Sequence, residues 1–176
     1  MKNIRFILLA IVIGFTSCDK VNDLKTKDFY DIELSKSTLV SVNTAESNSL
    51  KIDETYPFSE SMKLDFADIS ELKEYLNKLE GLDVTAINCE ITDLTAGEIE
   101  SLSIRVPDLN IDFDISTVVL NQSLFVNFTT EELDAIANLL LQNKELEILI
   151  TGTLTEQPVS FNIEITALVD VEVEIL

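Results

Sequence analysis

The chain has no histidine and no tryptophan, and it contains only four glycines and three prolines among its 176 residues. The absence of histidine removes the usual general base at neutral pH and the commonest zinc ligand. Ser-His-Asp and Cys-His chemistry are therefore excluded. The few glycines form neither a GxGxxG nor a GxxxxGK[ST] loop, so the sequence offers no cradle for nucleotide phosphates.

Basic residues are also scarce, with 12 lysines and arginines against 32 aspartates and glutamates. Between Leu79 and Leu176 only Arg105 and Lys144 are basic, whereas nineteen residues are acidic. Such a charge balance repels nucleic acid and anionic lipid headgroups. We therefore expect that a partner binding through charge is cationic, or is a divalent metal.

The longest apolar run is short and lies close to the amino terminus, from Phe6 to Phe15. Its ten residues fall well below the ~20 that a membrane-spanning helix needs. Lys2 and Arg5 precede it, as in a signal peptide, and Phe15-Thr16-Ser17-Cys18 then places small residues directly before a cysteine. This arrangement resembles the lipobox of bacterial lipoproteins.

The resemblance implies that Cys18 receives a diacylglyceryl thioether, that the chain is cut before it, and that the new amino terminus is acylated, for example with palmitate. It predicts a signal peptide at residues 1–17, a tether at 18–28 and one β-rich domain at 29–176. The mature chain of 159 residues would carry a net charge of −22. The other cysteine, Cys89, would then have no disulfide partner, and its position between Ile87 and Ile91 predicts a small core residue.

Two regions, 62–106 and 124–176, share one order of strand, helix, strand and strand. In the first region, Asp68 and Glu71 predict a capping box at the start of a helix that Gly81 ends. In the second, Thr129 and Glu132 predict the same box, and Asn143 is the expected C-terminal cap.

Aligning Leu72 with Leu133, and inserting two residues after the helices, brings Ile87 opposite Ile150. This predicts an internal duplication; the alternative is the chance similarity of two amphipathic patterns.

The remaining pattern is typical of strands. Residues 29–42 form one long or two short strands, and 146–154 with 159–176 form a hairpin. Every odd position of the last strand from Val159 to Ile175 is apolar, which predicts a half-buried strand with a bend or bulge near Ala167 and Leu168. We therefore expect a mainly β fold, a two-layer sandwich of about eight or nine strands with two short helices. An α+β fold with both helices on one sheet is the alternative.

Two acidic ladders are candidate sites. Residues 108–114 match the opening ligand spacing of an EF-hand, but Phe113 stands where the sharp turn requires glycine, so Asp112 and Asp114 are at most weak calcium ligands. On the last strand Asp170, Glu172 and Glu174 share one face. Their mutual repulsion either discourages edge-to-edge pairing of molecules or forms a docking stripe for a cationic partner or a metal.

The sequence predicts a lipoprotein without enzymatic activity, anchored through Cys18 in the bacterial cell envelope, at the outer membrane or cell surface. It would present a β-rich binding or structural module, need no cofactor and bind no nucleic acid. Partners are the membrane, through the covalent lipid, and a cationic molecule or another protein in the envelope. Three alternatives remain: a subunit of a larger envelope complex, a strand-exchanging adhesin or pilus-like subunit, and a histidine-free carboxylate hydrolase acting on glycans.

Overall fold

The computed structural model describes residues 25–43, 55–115 and 118–175. It consists of two four-stranded antiparallel sheets and one α-helix, so the predicted two-layer β-sandwich is confirmed and the α+β alternative is wrong. The elements in chain order are β1 (Thr26–Val42), β2 (Tyr56–Asp65), β3 (Leu79–Thr92), β4 (Ile99–Val106), β5 (Ile111–Ile115), β6 (Ser123–Phe125), α1 (Thr130–Asn143), β7 (Glu145–Leu154) and β8 (Val159–Glu174).

The first sheet has the strand order β1-β8-β3-β6, and the second has the order β2-β7-β4-β5. The core lies between them because alternate side chains of each strand point inward. Strand β8 shows this most clearly: every odd residue from Val159 to Val173 is buried, whereas the even residues are exposed or half-buried. A strand with one apolar face is stable only where a second layer covers that face, which is why this pattern folds as a sandwich.

Helix α1 begins where the sequence predicts it. The Thr129 hydroxyl accepts a hydrogen bond from the backbone N–H of Glu132, and the Glu132 carboxylate accepts one from the backbone N–H of Thr129. These two bonds satisfy donors that the first helical turn would otherwise leave unpaired. The helix ends one residue later than predicted, since Lys144 rather than Asn143 takes the left-handed C-cap conformation, with φ of 64°. Ile136, Ala137 and Leu140 form its buried face.

The predicted first helix is wrong. Residues 66–78 form successive 3-10 turns, in which Asp65 rather than Asp68 provides the capping carboxylate. The physical reason is the spacing of the apolar residues: Phe66, Ile69, Leu72 and Tyr75 recur every third position, and the backbone is hydrogen-bonded from each to the next. A period of three matches the 3-10 helix rather than the 3.6 residues of an α-helix. Gly81 consequently lies inside β3.

Three further expectations are corrected. Strands β7 and β8 do not form a hairpin, because β7 belongs to the second sheet and β8 to the first. Strand β8 also stays in one sheet along its whole length, and the irregularity expected near Leu168 lies in its neighbours: β3 has a bulge between Val84 and Ala86, and β1 has one between Phe29 and Ile32. Strand β1 begins at Thr26, so residues 26–28 of the predicted tether belong to the sheet.

Candidate functional site

The two ends of the described domain lie side by side. The backbone N–H of Ile175 donates a hydrogen bond of 2.8 Å to the carbonyl oxygen of Lys25, and Thr26 is paired with Glu174. Cys18 lies outside the described residues.

The predicted stripe of Asp170, Glu172 and Glu174 lies at this end, on the outer face of the first sheet. Its residues alternate with buried valines, which fixes the direction of the carboxylates. The neighbouring strands add two more, because Asp28 of β1 is paired with Glu172 and Asp83 of β3 is paired with Asp170. We call these five residues the acidic end: Asp28, Asp83, Asp170, Glu172 and Glu174.

Asp170, one member of the acidic end, forms a hydrogen bond that stabilises the bulge in β1. Asp31 has a left-handed backbone, with φ of 54°, inside the bulge of β1. Its N–H donates a hydrogen bond of 2.9 Å to the Asp170 carboxylate. Asp170 therefore holds the bulge in place and is not a free docking group.

A depression of about 430 Å³ lies between the acidic end and helix α1, with Asn138 and Leu141 on the helix side. Tyr30 stands at its edge with 67% of its surface exposed, and its hydroxyl donates a 3.1 Å hydrogen bond to Asp28. This bond and the surrounding carboxylates raise the pKa of Tyr30. Among the described residues, no lysine or arginine lines the depression. The ammonium of Lys27, next to Asp28 in sequence, lies over the Phe29 ring. The surface suits a cationic group.

A second acidic group lies further along the same face. Glu90 of β3 is directly paired with Glu164 of β8, and Glu33 lines the same shallow depression of about 270 Å³. Like charges opposite one another on a sheet are destabilising. Asn88 lies beside them, and its side-chain oxygen is buried without a hydrogen-bond partner in the part of the chain that the structure describes.

The predicted calcium candidates, Asp112 and Asp114, lie on β5 in the second sheet and not at the acidic end. Asp112 forms a two-pronged ion pair with Arg105 across β4 and β5, in which Nη2 lies 2.6 Å from Oδ2. This interaction lowers the pKa of Asp112 and raises that of Arg105. Asp114 is exposed two residues further on. Within residues 25–43, 55–115 and 118–175, no group of three or more His, Cys, Asp or Glu side chains is placed to hold a metal ion.

The outer face of the second sheet has a different chemistry. Its depression of about 650 Å³ is lined by hydroxyl groups from β4 and β7, and the Ser101 and Thr153 hydroxyls are hydrogen-bonded at 2.8 Å. Asp114 and Glu100 lie at its margin. This depression therefore differs from the one at the acidic end in having mainly hydroxyl groups as its polar lining.

Cys89 has the core position that its sequence predicts. It is fully buried in β3, and burial raises the pKa of its thiol to about 12. The thiolate needed for nucleophilic attack is therefore not formed near neutral pH. Among the described residues no helix is long and apolar enough to cross a membrane.

The described residues form a two-layer antiparallel β-sandwich with one α-helix. No protein-family model and no curated protein matches the chain. Among solved structures, a chain from Desmodium yellow mottle tymovirus matches at 13% sequence identity, covering 78% of this chain and 93% of that chain with a TM-score of 0.29. A likeness this low carries no argument about fold or function.

Sequence reasoning found the β8 stripe but missed the residues that complete the acidic end. Asp28, Asp83 and Tyr30 belong to β1 and β3, and only the register of these strands against β8 brings them together. A strand pattern predicts which side chains share a face but not which strands are neighbours. The charge excess of the C-terminal half was the one available signal.

Proposed function

We propose that this protein is a lipoprotein of the bacterial cell envelope that performs no chemistry of its own and presents the β-sandwich as a binding or structural module. The observation that carries the proposal is the Phe15-Thr16-Ser17-Cys18 sequence behind a short apolar run. In this proposal the lipid on Cys18 is the anchor. Three acyl chains on one residue exceed the single chain whose membrane binding is only marginal.

The position of the two ends of the described domain supports this proposal. Thr26 lies eight residues after Cys18, and a chain of that length reaches at most roughly 28 Å. The acidic end would then face the membrane. Its carboxylates repel anionic headgroups over a screening length of ~8 Å at physiological salt, so the domain would be held away from the lipid surface rather than lie on it.

The test of the anchor is the substitution Cys18→Ala, with Cys89→Ala as the matched control. We expect Cys18→Ala to abolish lipidation and to leave the protein soluble in the periplasm or as an unprocessed precursor, whereas Cys89→Ala keeps the lipid because the Phe15-Thr16-Ser17-Cys18 sequence is unchanged. Mass spectrometry of the native amino terminus decides the question. An unmodified Cys18, or a mature terminus at another residue, would refute the anchor.

The acidic end supports a cationic partner. Glu172 and Glu174 are exposed, no basic residue in the part of the chain that the structure describes lines the surrounding depression, and Tyr30 adds an exposed ring that suits a cation. We expect a lysine-rich peptide to bind there with an affinity that falls as salt rises. Asp83→Asn/Glu172→Gln/Glu174→Gln should weaken this binding severalfold more than Glu98→Gln/Glu100→Gln/Asp108→Asn, which removes the same charge elsewhere. Equal losses in both variants would mean that only net charge matters.

The strand-exchange alternative receives no support from the position of β8. This strand is hydrogen-bonded to β1 on one side and to β3 on the other. A strand in the interior of a sheet cannot be donated to another molecule without opening both pairings. For this reason we propose a binding or structural module rather than a strand-exchanging subunit.

A further inference from the structure

The strand order of one sheet becomes the strand order of the other when each strand is replaced by its counterpart in the other half of the chain. The first sheet has the order β1-β8-β3-β6. Replacing each strand by the one four places away in sequence gives β5-β4-β7-β2, which is the order of the second sheet. The segment between β2 and β3, with its 3-10 turns, occupies the same place in the first half as helix α1 between β6 and β7 in the second.

The strand register follows the same relation. Ile87 of β3 is paired with Ala167 of β8, and Ile104 of β4 is paired with Ile150 of β7. Ile150 lies 63 residues after Ile87, and Ala167 lies 63 residues after Ile104. One sequence offset therefore superposes both central strand pairs with their register preserved, and it is the offset that the sequence predicts for Ile87 and Ile150.

Side-chain packing is consistent with the relation. In the first sheet Cys89 is paired with Leu124, and at the equivalent place in the second sheet Gly152 is paired with Phe58. A smaller residue on the central strand is thus matched by a larger one on the edge strand. Leu102 and Ile165, separated by the same 63 residues, are both buried.

Each strand pairing in the described sandwich joins the first half of the chain to the second. Strands β1 and β3 pair only with β8 and β6, and strands β2 and β4 pair only with β7 and β5. Neither half has a strand pair of its own, so an isolated half would leave its backbone donors and acceptors and its apolar inner face without partners.

We infer that the sandwich consists of two equivalent, interlocked units, Thr26–Val106 and Ile111–Glu174. The binding partner of each unit is another unit of the same kind, which pairs with its strands and covers its apolar inner face. In one chain the partner unit is supplied in cis through the Pro107–Leu109 turn and Asn110. A second copy of the chain can supply it in trans once that turn is opened. The covalent turn is then a connection between two binding partners and not a requirement of the fold.

The strand ends agree with this inference. The β4–β5 turn joins Val106 to Ile111, which are paired across the second sheet. At the equivalent place in the first sheet, Glu174 of β8 is paired with Thr26 of β1, so a turn of the same kind could join these two strands.

The first experiment cuts the folded mature chain, in which Cys18→Ser removes the lipid, at a protease site inserted between Asp108 and Leu109. We expect the two pieces to elute as one particle, and to regain the native circular dichroism spectrum after denaturant is diluted out. Cut samples of unlabelled and isotope-labelled protein are then mixed in denaturant and refolded together. We expect particles that contain one unlabelled and one labelled unit. The control carries the same site between Glu156 and Gln157, where a cut releases β8 alone; we expect at least tenfold lower recovery from it. Recovery from the central cut that does not exceed the control, or pieces that separate after the cut, would overturn the inference.

A circular permutant tests the same inference if the inserted site prevents folding. It begins at Leu109, ends at Asp108, and joins Ile175 to Lys25 by a copy of the four-residue turn. We expect the native spectrum and one cooperative unfolding transition. Loss of that transition would contradict the equivalence of the two connections.

Discussion

The ring of Phe58 lies over Gly152, its direct neighbour across strands β2 and β7, and occupies the space that a side chain at position 152 would need. A Cβ atom there would lie 2.6 Å from the ring and would also overlap the backbone oxygen of Ser101. The ring in turn packs edge-on against Phe161 of the first sheet, at a centroid distance of 5.2 Å. This glycine is therefore part of how the two sheets meet.

Gly152→Ala should destabilise the protein by about 1–3 kcal/mol, because an added methyl group must displace both a packed ring and a strand backbone. Gly81→Ala is the matched control within a strand. Its Cβ would meet only the Glu172 side chain, at 3.3 Å, so we expect a smaller loss. Urea unfolding of both variants measures the difference, and equal stabilities would contradict the packing argument.

The sequence correctly predicts which residues of a strand point into the core where one face of that strand is apolar. The inward residues of β8 and the capping box of α1 are examples, because each depends on neighbours along the chain. The location of Cys89 in the core followed for the same reason.

The sequence does not predict which segments distant along the chain become neighbours in the fold. The hairpin expected for β7 and β8 is wrong because a short connection is compatible both with pairing and with crossing to the opposite sheet. The helix expected after Asp68 is wrong because Leu72, Tyr75 and Leu76 fit a helical stripe, whereas the spacing that includes Phe66 and Ile69 is threefold. The carboxylates that complete the acidic end depend on strand register, which no local pattern contains.

Cys89 should react with a thiol reagent only after denaturant is added, since its side chain is fully buried and its pKa is raised to about 12. Cys89→Ala should cost about 1 kcal/mol for a small cavity. Rapid labelling of the folded, unlipidated protein would show that β3 opens or that this thiol is accessible.

The same thiol should make stability fall in alkaline solution. Its pKa rises from an ordinary value of 9.0 to about 12 on folding, so between these values the unfolded chain loses a proton that the folded chain keeps. Stability is fully retained below pH 9 and then decreases by up to about 1.4 kcal/mol per pH unit until pH 12. Cys89→Ala removes this dependence, and the slopes of the two unfolding curves against pH give the comparison. Equal slopes of stability against pH for the wild type and Cys89→Ala would show that ionisation of Cys89 does not cause the loss.

Asp170 should matter as a hydrogen-bond acceptor rather than as a charge. Its carboxylate holds the bulge at Asp31, and Asp83 stands directly opposite it on β3. Asp170→Ala should lose about 1 kcal/mol with that bond, whereas Asp170→Asn keeps an acceptor, removes the repulsion and should be at least as stable as the wild type. The exposed Glu174→Ala serves as the control for charge removal. Equal stabilities of Asp170→Ala and Asp170→Asn would show that the bond contributes nothing.

Calcium should bind the acidic strands only weakly, in the millimolar range, and without catalytic consequence. Asp112 is already engaged by Arg105, and residues 111–115 form a strand instead of the compact loop that a tight site needs. The measurement is a calcium titration at constant ionic strength, so that nonspecific screening of the negative charge is the same at each point. Asp112→Asn/Asp114→Asn tests one ladder and Asp170→Asn/Glu172→Gln/Glu174→Gln the other. Saturable micromolar binding that disappears in either variant would contradict the strand geometry of that face and would favour a calcium-dependent adhesin or glycan binder.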